Sequence, residues 1–289
     1  MRNFDEMKEL VLTLRSNASF KLPEDLDMDS FIADIMHYIG STDSELREGI
    51  YSTICNLVYG DFLSNEQLKH ITFSSLDDKH LFLGIGETDT DTVFTRAFSS
   101  LALCSCLWKY DHSRDNPFLT VAEIDAISHK IMQYVDQERD YRGYVNEKGW
   151  AHSIAHIADT LKCLAFCVDR DVTIQILGAI GKLVSNKSVV YFASEDERLA
   201  DAAICTLYAS CYRGDYFSVK EMCKWLKDTF VMIERKDMPE DNNVNVNRMA
   251  FIKSLYAKVM TDSDLREDEE LYKAFHDCLF GIVTGLYAS

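Results

Sequence analysis

The sequence predicts an all-α protein, and three observations support this fold class. Apolar residues recur at helical spacing along most of the 289 residues. Only 3 prolines and 12 glycines occur, which is too few for the frequent turns of an all-β fold. Ser, Thr, Asp or Asn precedes many of the amphipathic stretches, and these residues cap the free N–H groups at the start of a helix.

The amphipathic stretches predict the helices in order along the chain, with a weaker one near the N-terminus. The strong stretches begin near Asp29, Asp43, Asn65, Asp89, Thr120, Gly149, Asp171, Glu195, Ser218, Asn245 and Asp268. Glycines, prolines and polar residues interrupt the periodicity between them. Residues 188–192 are the only segment that could form a strand, and such a strand would be short.

Alternate helices share a cationic or potentially cationic residue near their first turn. These residues are Arg47, Arg96, His152, Arg198 and Arg248. They lie about 50 residues apart, slightly more than the roughly 40–47 residues of HEAT-type repeats, so one helix hairpin fits each interval. The pattern predicts stacked antiparallel helix pairs in a HEAT-like α–α superhelix, with a closed α/α toroid as the alternative. Chance alignment of these residues would also produce such spacings.

A single all-helical repeat domain is therefore expected over residues 1–289. Residues 1–40 would supply N-terminal capping helices, residues 41–261 the repeated helix pairs, and residues 262–289 a C-terminal capping helix.

Charge and cysteine content restrict the partners and the compartment. The chain has 30 basic and 47 acidic residues, a net charge of −17, so phosphate backbones and anionic lipids repel it and neither nucleic acid nor a membrane is an expected partner. No apolar run reaches the roughly 18 residues of a membrane span, and the polar N-terminus is unlike a signal peptide. Nine cysteines without a CxxC pair predict free thiols and a cytoplasmic location.

The densest polar region runs from residue 138 to residue 159. On a helix, His152, His156 and Asp159 share one face opposite Ile154, Ile157 and Leu161. Histidines at this spacing can reach one metal ion, so a divalent metal held by His152, His156 and Asp159 is a candidate cofactor. The glutamate of an HExxH motif is missing, which excludes a zincin-type protease. The alternative is a pair of hydrogen-bonded packing residues.

Two functions fit these residues. The first is a helical-repeat binding protein whose inner groove holds a protein, a peptide or a small anionic ligand. Arg47 would line this groove together with the candidate ligand-binding residues. These candidate residues are Arg96, Arg142, Trp150, His152, His156, Asp159, Glu195 and Arg198. The alternative is a metal-assisted or carboxylate-dependent hydrolase. Its candidate catalytic residues are Glu138, Asp140, His152 and His156.

We expect Glu138, Arg142, His152, His156, Asp159 and Arg198 to converge in one pocket. The structural alternative is that these residues form a closed network without a cavity, which would brace the scaffold.

The order of these motifs resembles an uncharacterised bacterial family known only as domain of unknown function 2785. The similarity covers residues 43–200 and depends on residues 43–47, on Gly86-Glu87 with residues 93–99, on Glu138-x-Asp140-x-Arg142-Gly143-Tyr144, on Gly149-Trp150-Ala151-His152 with His156 and Asp159, and on residues 195–200. The Gly-Trp-x-His block is the most specific. Ala97 and Ile157 depart from the pattern, where serine and glycine are expected. The resemblance implies no activity, but it implies that these clusters belong to one recurring constellation.

Overall fold

A computed structural model describes residues 1–17, 20–214 and 218–288. Within these residues the chain forms thirteen helices and one two-stranded sheet, and helices make up 68% of the structure. The predicted all-α fold class is confirmed. The chain divides into two compact units, Met1–Cys167 and Val168–Ser289.

The first unit contains seven helices and the small sheet. Its elements are α1 (Phe4–Ser16), α2 (Met28–Tyr38), α3 (Ser44–Tyr59), α4 (Asn65–Ser75), α5 (Thr92–His112), α6 (Val121–Gln137), β1 (Tyr144–Val145), β2 (Gly149–Trp150) and α7 (Ser153–Cys167). Helix α3 packs between α1 and α5, α5 packs against α7, and α2 packs against α4. Alternate helices are thus neighbours in space, as a stack of helix pairs requires.

The second unit contains the remaining six helices of the described chain. They are α8 (Arg170–Val184), α9 (Glu195–Arg213), α10 (Val219–Thr229), α11 (Glu240–Thr261), α12 (Ser263–Glu267) and α13 (Glu269–Ala288). Here α9 packs against α8 and α11, and α13 packs against α10, α11 and α12. Alternate helices are therefore neighbours in this unit as well, since α9 contacts α11 and α11 contacts α13.

Polar side chains explain where several helices begin. The Asp43 carboxylate accepts a hydrogen bond from the amide of Leu46 and so caps α3. Ser64, Thr120 and Ser218 form capping boxes at α4, α6 and α10. These starts agree with the starts predicted from the sequence to within one residue.

Two predicted elements are wrong. Residues 188–192 are not a strand, because the Tyr191 amide donates to the side chain of Asn247 and not to another strand. The helix expected from Gly149 begins only at Ser153, because Gly149 and Trp150 pair with Tyr144 and Val145 in an antiparallel hairpin.

The expectation that all nine cysteines are free is also wrong. Cys223 of α10 and Cys278 of α13 form a disulfide within the second unit. Their spacing of 55 residues gave no signal in the sequence, because the two helices become neighbours only in the folded unit. In the part of the chain whose side chains the structure describes, six further cysteines form no disulfide.

Among the described helices, none combines the length and the apolar character needed to cross a membrane.

Candidate functional site

The first-turn arginine of α5 forms a buried ion pair with the residue that ends α6. Arg96 Nε lies 2.6 Å from Glu138 Oε2, and Arg96 Nη2 lies 2.9 Å from Glu138 Oε1. Both side chains are almost completely inaccessible to solvent. The remaining guanidinium nitrogen donates to the carbonyl of Leu83 and to the hydroxyl of Thr92. Arg96 therefore ties the turn before α5 and the end of α6 to one helix.

The contact with Glu138 changes the pKa of Arg96. Burial alone lowers the pKa of Arg96, but the hydrogen bond and the negative charge of Glu138 outweigh burial and raise the pKa above its ordinary value. Glu138 Oε1 also accepts hydrogen bonds from the amides of Arg139 and Asp140, each at 2.9 Å. Both carboxylate oxygens of Glu138 are therefore occupied by hydrogen bonds within the protein, so Glu138 is part of the scaffold.

A second buried carboxylate fixes the segment that follows. Asp140 accepts hydrogen bonds from Arg142 Nε at 2.8 Å and from Arg142 Nη2 at 2.6 Å. Arg142 Nη2 also donates to the carbonyl of Thr90, and the carbonyl of Asp140 accepts from the Ser153 hydroxyl at 2.6 Å. Asp140 and Arg142 thus hold the hairpin between the loop before α5 and the first residue of α7.

The hairpin is anchored from α3 by a buried arginine. Arg47 Nη2 lies 2.7 Å from the carbonyl of Lys148 and 3.2 Å from that of Trp150, and Arg47 Nη1 lies 2.6 Å from the carbonyl of Ser41. Its guanidinium carbon lies 4.3 Å from the ring centroid of Phe94, in the geometry of a cation–π contact. Arg47 is fully buried.

Gly149 allows the hairpin to approach α3 closely. Its φ is +80°, and a Cβ at this position would lie 3.0 Å from Ser44 Cβ and 3.2 Å from Arg47 Nη2. Neither the backbone conformation nor the space suits a larger residue. This requirement explains the glycine in the Gly-Trp-x-His block.

Two aromatic side chains are exposed on this fixed hairpin. Trp150 is 39% exposed and Tyr144 is 54% exposed, and their rings meet edge to face with centroids 5.2 Å apart. Trp150 also stacks on the imidazole of His152, with a centroid distance of 4.2 Å and an interplanar angle of 27°. We call Tyr144, Trp150 and His152 the aromatic platform.

Backbone geometry fixes His152 beneath Trp150. Its φ is +54°, its amide donates to the Arg142 carbonyl, and its carbonyl accepts from the amide of His156, which begins the hydrogen bonding of α7. The His156 ring meets His152 edge to face at 5.8 Å and Phe98 edge to face at 5.0 Å. His152 and His156 are close together, as predicted for one helix face, but His156 packs against α5 and is buried.

Asp159, the third residue of the predicted face, lies close to α5 as well. Asp159 is buried, its carbonyl accepts a hydrogen bond from the Cys104 thiol at 3.3 Å, and its carboxylate lies 3.8 Å from Lys162. Within the described residues, no group of three or more His, Cys, Asp or Glu side chains is arranged to hold a metal ion.

Two candidate residues, Glu195 and Arg198, belong to the second unit. Glu195 is buried at the start of α9 and accepts a hydrogen bond from the amide of Ala193 at 2.7 Å, and Arg198 is half-buried one turn later. An open cavity of about 910 Å³ lies in the same unit. Its lining includes Asp196, Arg235, Asn245, Met249, Lys253 and Ser254.

Several of the predicted site residues are brought together in the structure, in the segment between residues 138 and 156. Of the six residues expected in one pocket, Glu138 and Arg142 belong to one network, which also contains Asp140 and Arg96. The guanidinium and carboxylate groups of this network are engaged by one another and by backbone atoms. Tyr144, which is not among the candidate site residues predicted from the sequence, is the most exposed member of the platform. The signal available was an aromatic residue on each side of a short glycine-containing turn.

Comparison with known proteins agrees with this set of motifs. No curated protein and no solved structure matches the chain. The family described as protein of unknown function (DUF2785) matches residues 81–257, which include the Arg96–Glu138 pair, the hairpin and α7. This match covers more than half of the sequence, and the chain belongs to that family.

Proposed function

We propose that the chain is a binding protein whose recognition surface for a peptide or protein segment is the aromatic platform. The observation that carries the proposal is the exposure of Trp150 and Tyr144 on a hairpin whose backbone is held by the buried side chain of Arg47. A two-stranded hairpin this short is not stable alone, so its position depends on these contacts.

Rigid exposed aromatic residues are well suited to recognition. Trp and Tyr supply a large contact area, and residues that are already fixed lose little conformational entropy when a partner binds. Trp150 is held by stacking on His152 and by an edge-to-face contact with Tyr144, so its orientation is set before binding.

The charges around the platform favour a peptide over a small anion. Arg142 and Lys148 are partly exposed at its rim, but Lys148 pairs with Asp91 at 2.7 Å and Arg142 lies 3.9 Å from Asp89. A rim of mixed sign does not concentrate anions, whereas it suits the polar backbone and side chains of a protein segment.

The scaffold in this proposal is a HEAT-like stack in a cytoplasmic protein. The contacts of α3 with α1 and α5, and of α5 with α7, support the stack. Six cysteines that form no disulfide within the described residues support a reducing compartment. The hydrolase alternative receives no comparable support, because Glu138 and Asp140 are buried in ion pairs.

Selection from a displayed library of short random peptides on the purified full chain tests the proposal. We expect enriched peptides whose synthetic forms bind Trp150→Ala at least about tenfold more weakly than the original chain, as for an interface hot spot. Phe73→Ala is the matched control, since Phe73 is 40% exposed on α4 of the same unit and should leave affinity unchanged. Failure to enrich any peptide, or equal binding to the original chain and Trp150→Ala, would overturn the proposal.

A further inference from the structure

Two cysteines face each other across the contact between α5 and α7, Cys104 on α5 and Cys163 on α7. Cys104 Sγ lies 3.3 Å from Cys163 Sγ, although the residues are 59 positions apart in the sequence. A disulfide requires an S–S distance of about 2.05 Å. Side-chain rotations that bring the two sulfurs closer by a little more than about 1 Å would therefore place them at bonding distance. We propose that Cys104 and Cys163 form a peroxide-sensitive dithiol site that closes reversibly to an intramolecular disulfide.

The two thiols differ in accessibility, and this difference assigns their roles. Cys163 is half-buried and can be reached from solvent, whereas Cys104 is only 8% exposed. Cys163 is therefore the thiol that meets a dissolved peroxide first. Cys104 lies directly behind it and is placed to attack the oxidised sulfur.

Hydrogen bonding supports the same assignment. The pKa of the Cys163 thiol is lowered from its ordinary value, chiefly because Cys104 donates a hydrogen bond to it, while burial opposes the shift and Lys162 assists it. The pKa of Cys104 is raised by the same hydrogen bond and by burial. The carbonyl of Asp159 and the sulfur of Cys163 both lie 3.3 Å from Cys104 Sγ, so the Cys104 thiol can donate its hydrogen bond to either of them.

The neighbouring cysteines are poorer candidates. Burial raises the pKa of Cys106 to about 12. Burial also raises the pKa of Cys167, whose thiol donates to the carbonyls of Leu107 and Cys163. Since the thiolate is the form that reacts, Cys163 should be oxidised before either of them.

The chemistry balances in two steps. The Cys163 thiolate attacks one oxygen of hydrogen peroxide, the O–O bond breaks, and a Cys163 sulfenic acid and hydroxide form. The hydroxide takes up the proton that the Cys163 thiol released when it ionised and becomes the first water. Cys104 sulfur then attacks Cys163 sulfur, the S–O bond breaks, and the Cys104 proton leaves with the hydroxyl group as water. Two thiols are oxidised by two electrons in total, and one peroxide is reduced to two molecules of water. An added dithiol reductant restores both thiols by exchange.

Peptide mapping of the full chain tests the proposal. The purified protein is treated with hydrogen peroxide, its remaining thiols are alkylated under denaturing conditions, and it is digested with trypsin without reduction. We expect a linked species that joins residues 97–109 to residues 163–170 and that disappears on reduction. The Cys223–Cys278 pair lies in peptides 221–224 and 274–289 and cannot be mistaken for it.

Variants identify the sulfurs, because each linked peptide contains a second cysteine. The double variant Cys106→Ala/Cys167→Ala should keep the link, and Cys163→Ser should lose it. Cys104→Ser should leave Cys163 as a sulfenic acid that dimedone traps. Far-UV circular dichroism confirms that each variant is folded. A folded double variant that forms no link, or a link that survives in Cys163→Ser, would overturn the proposal.

Discussion

The guanidinium carbon of Arg47 lies 4.3 Å from the ring centroid of Phe94, and both side chains are fully buried. Burial lowers the pKa of Arg47 from its ordinary value, while the charges of Glu48 and Asp43 oppose that shift. The cation is stabilised by the aromatic ring and by three backbone carbonyls.

We expect Arg47→Met to lower the free energy of unfolding by about 3 kcal/mol, because the substitution leaves the carbonyls of Ser41, Lys148 and Trp150 without this donor. Urea titration followed by circular dichroism measures the change. Arg15→Met is the matched control, since Arg15 is exposed near the end of α1, and its effect should stay within about 0.5 kcal/mol. Equal effects of the two substitutions would contradict the anchoring role of Arg47.

The Arg96–Glu138 pair should behave as a strongly coupled unit. Removing either partner leaves a buried charge, so Arg96→Met and Glu138→Leu should each lower the free energy of unfolding by about 3–5 kcal/mol. The double variant should lose clearly less than the sum of the single losses, because neither charge remains. A double-mutant cycle in urea measures the coupling. Additive losses would show that the two side chains act independently.

Gly149 and Gly178 should respond to alanine with opposite signs. Gly149 has a positive φ and meets Ser44 and Arg47, so Gly149→Ala should destabilise the protein by about 1–3 kcal/mol. Gly178 lies inside α8 with no neighbouring atom within 4 Å of an added Cβ, so Gly178→Ala should stabilise it by about 0.5–1 kcal/mol. Thermal unfolding of the two variants compares them directly, and a stable Gly149→Ala variant would argue against the close approach.

Glu123 should contribute stability that depends on pH. Its pKa is lowered to about 2, first by the hydrogen bond from Lys69 and then by the Thr120 amide at the start of α6. A lowered pKa in the folded state stabilises the protein above the unfolded pKa of about 4.3, and this stabilisation is lost as the pH falls towards 2. At pH 7 the original chain should therefore unfold at a higher midpoint concentration of urea than Glu123→Gln. At pH 3 the difference between the two midpoints should be smaller. A difference that is constant with pH would refute this linkage.

The sequence was informative wherever a local rule controls the structure. Helical periodicity and the capping residues Asp43, Ser64, Thr120 and Ser218 predicted the starts of their helices because each cap acts on an amide three residues away. The cluster of motifs between residues 138 and 159 also proved to be one connected region.

Long-range contacts explain what the sequence could not show. Arg47 and Arg96 look like surface cations at helix starts, and only the packed unit shows that Phe94 and Glu138 cover them. The hairpin at Tyr144–Trp150 is too short to give a periodic signal, since each of its strands has two residues. The disulfide and the Cys104–Cys163 pair likewise join residues more than 50 positions apart.

The sequence separation of the hairpin contacts has a consequence for synthesis on the ribosome. Arg47 bonds to carbonyls 101 and 103 residues further along the chain, so α3 emerges long before its partners exist. Contacts of such long range form late, because the intervening chain must first be ordered. In a nascent chain the Arg47 guanidinium therefore stays hydrated until Trp150 has emerged and the hairpin has docked on α3. The fluorescence of Trp150 should then report when the first unit has completed its folding.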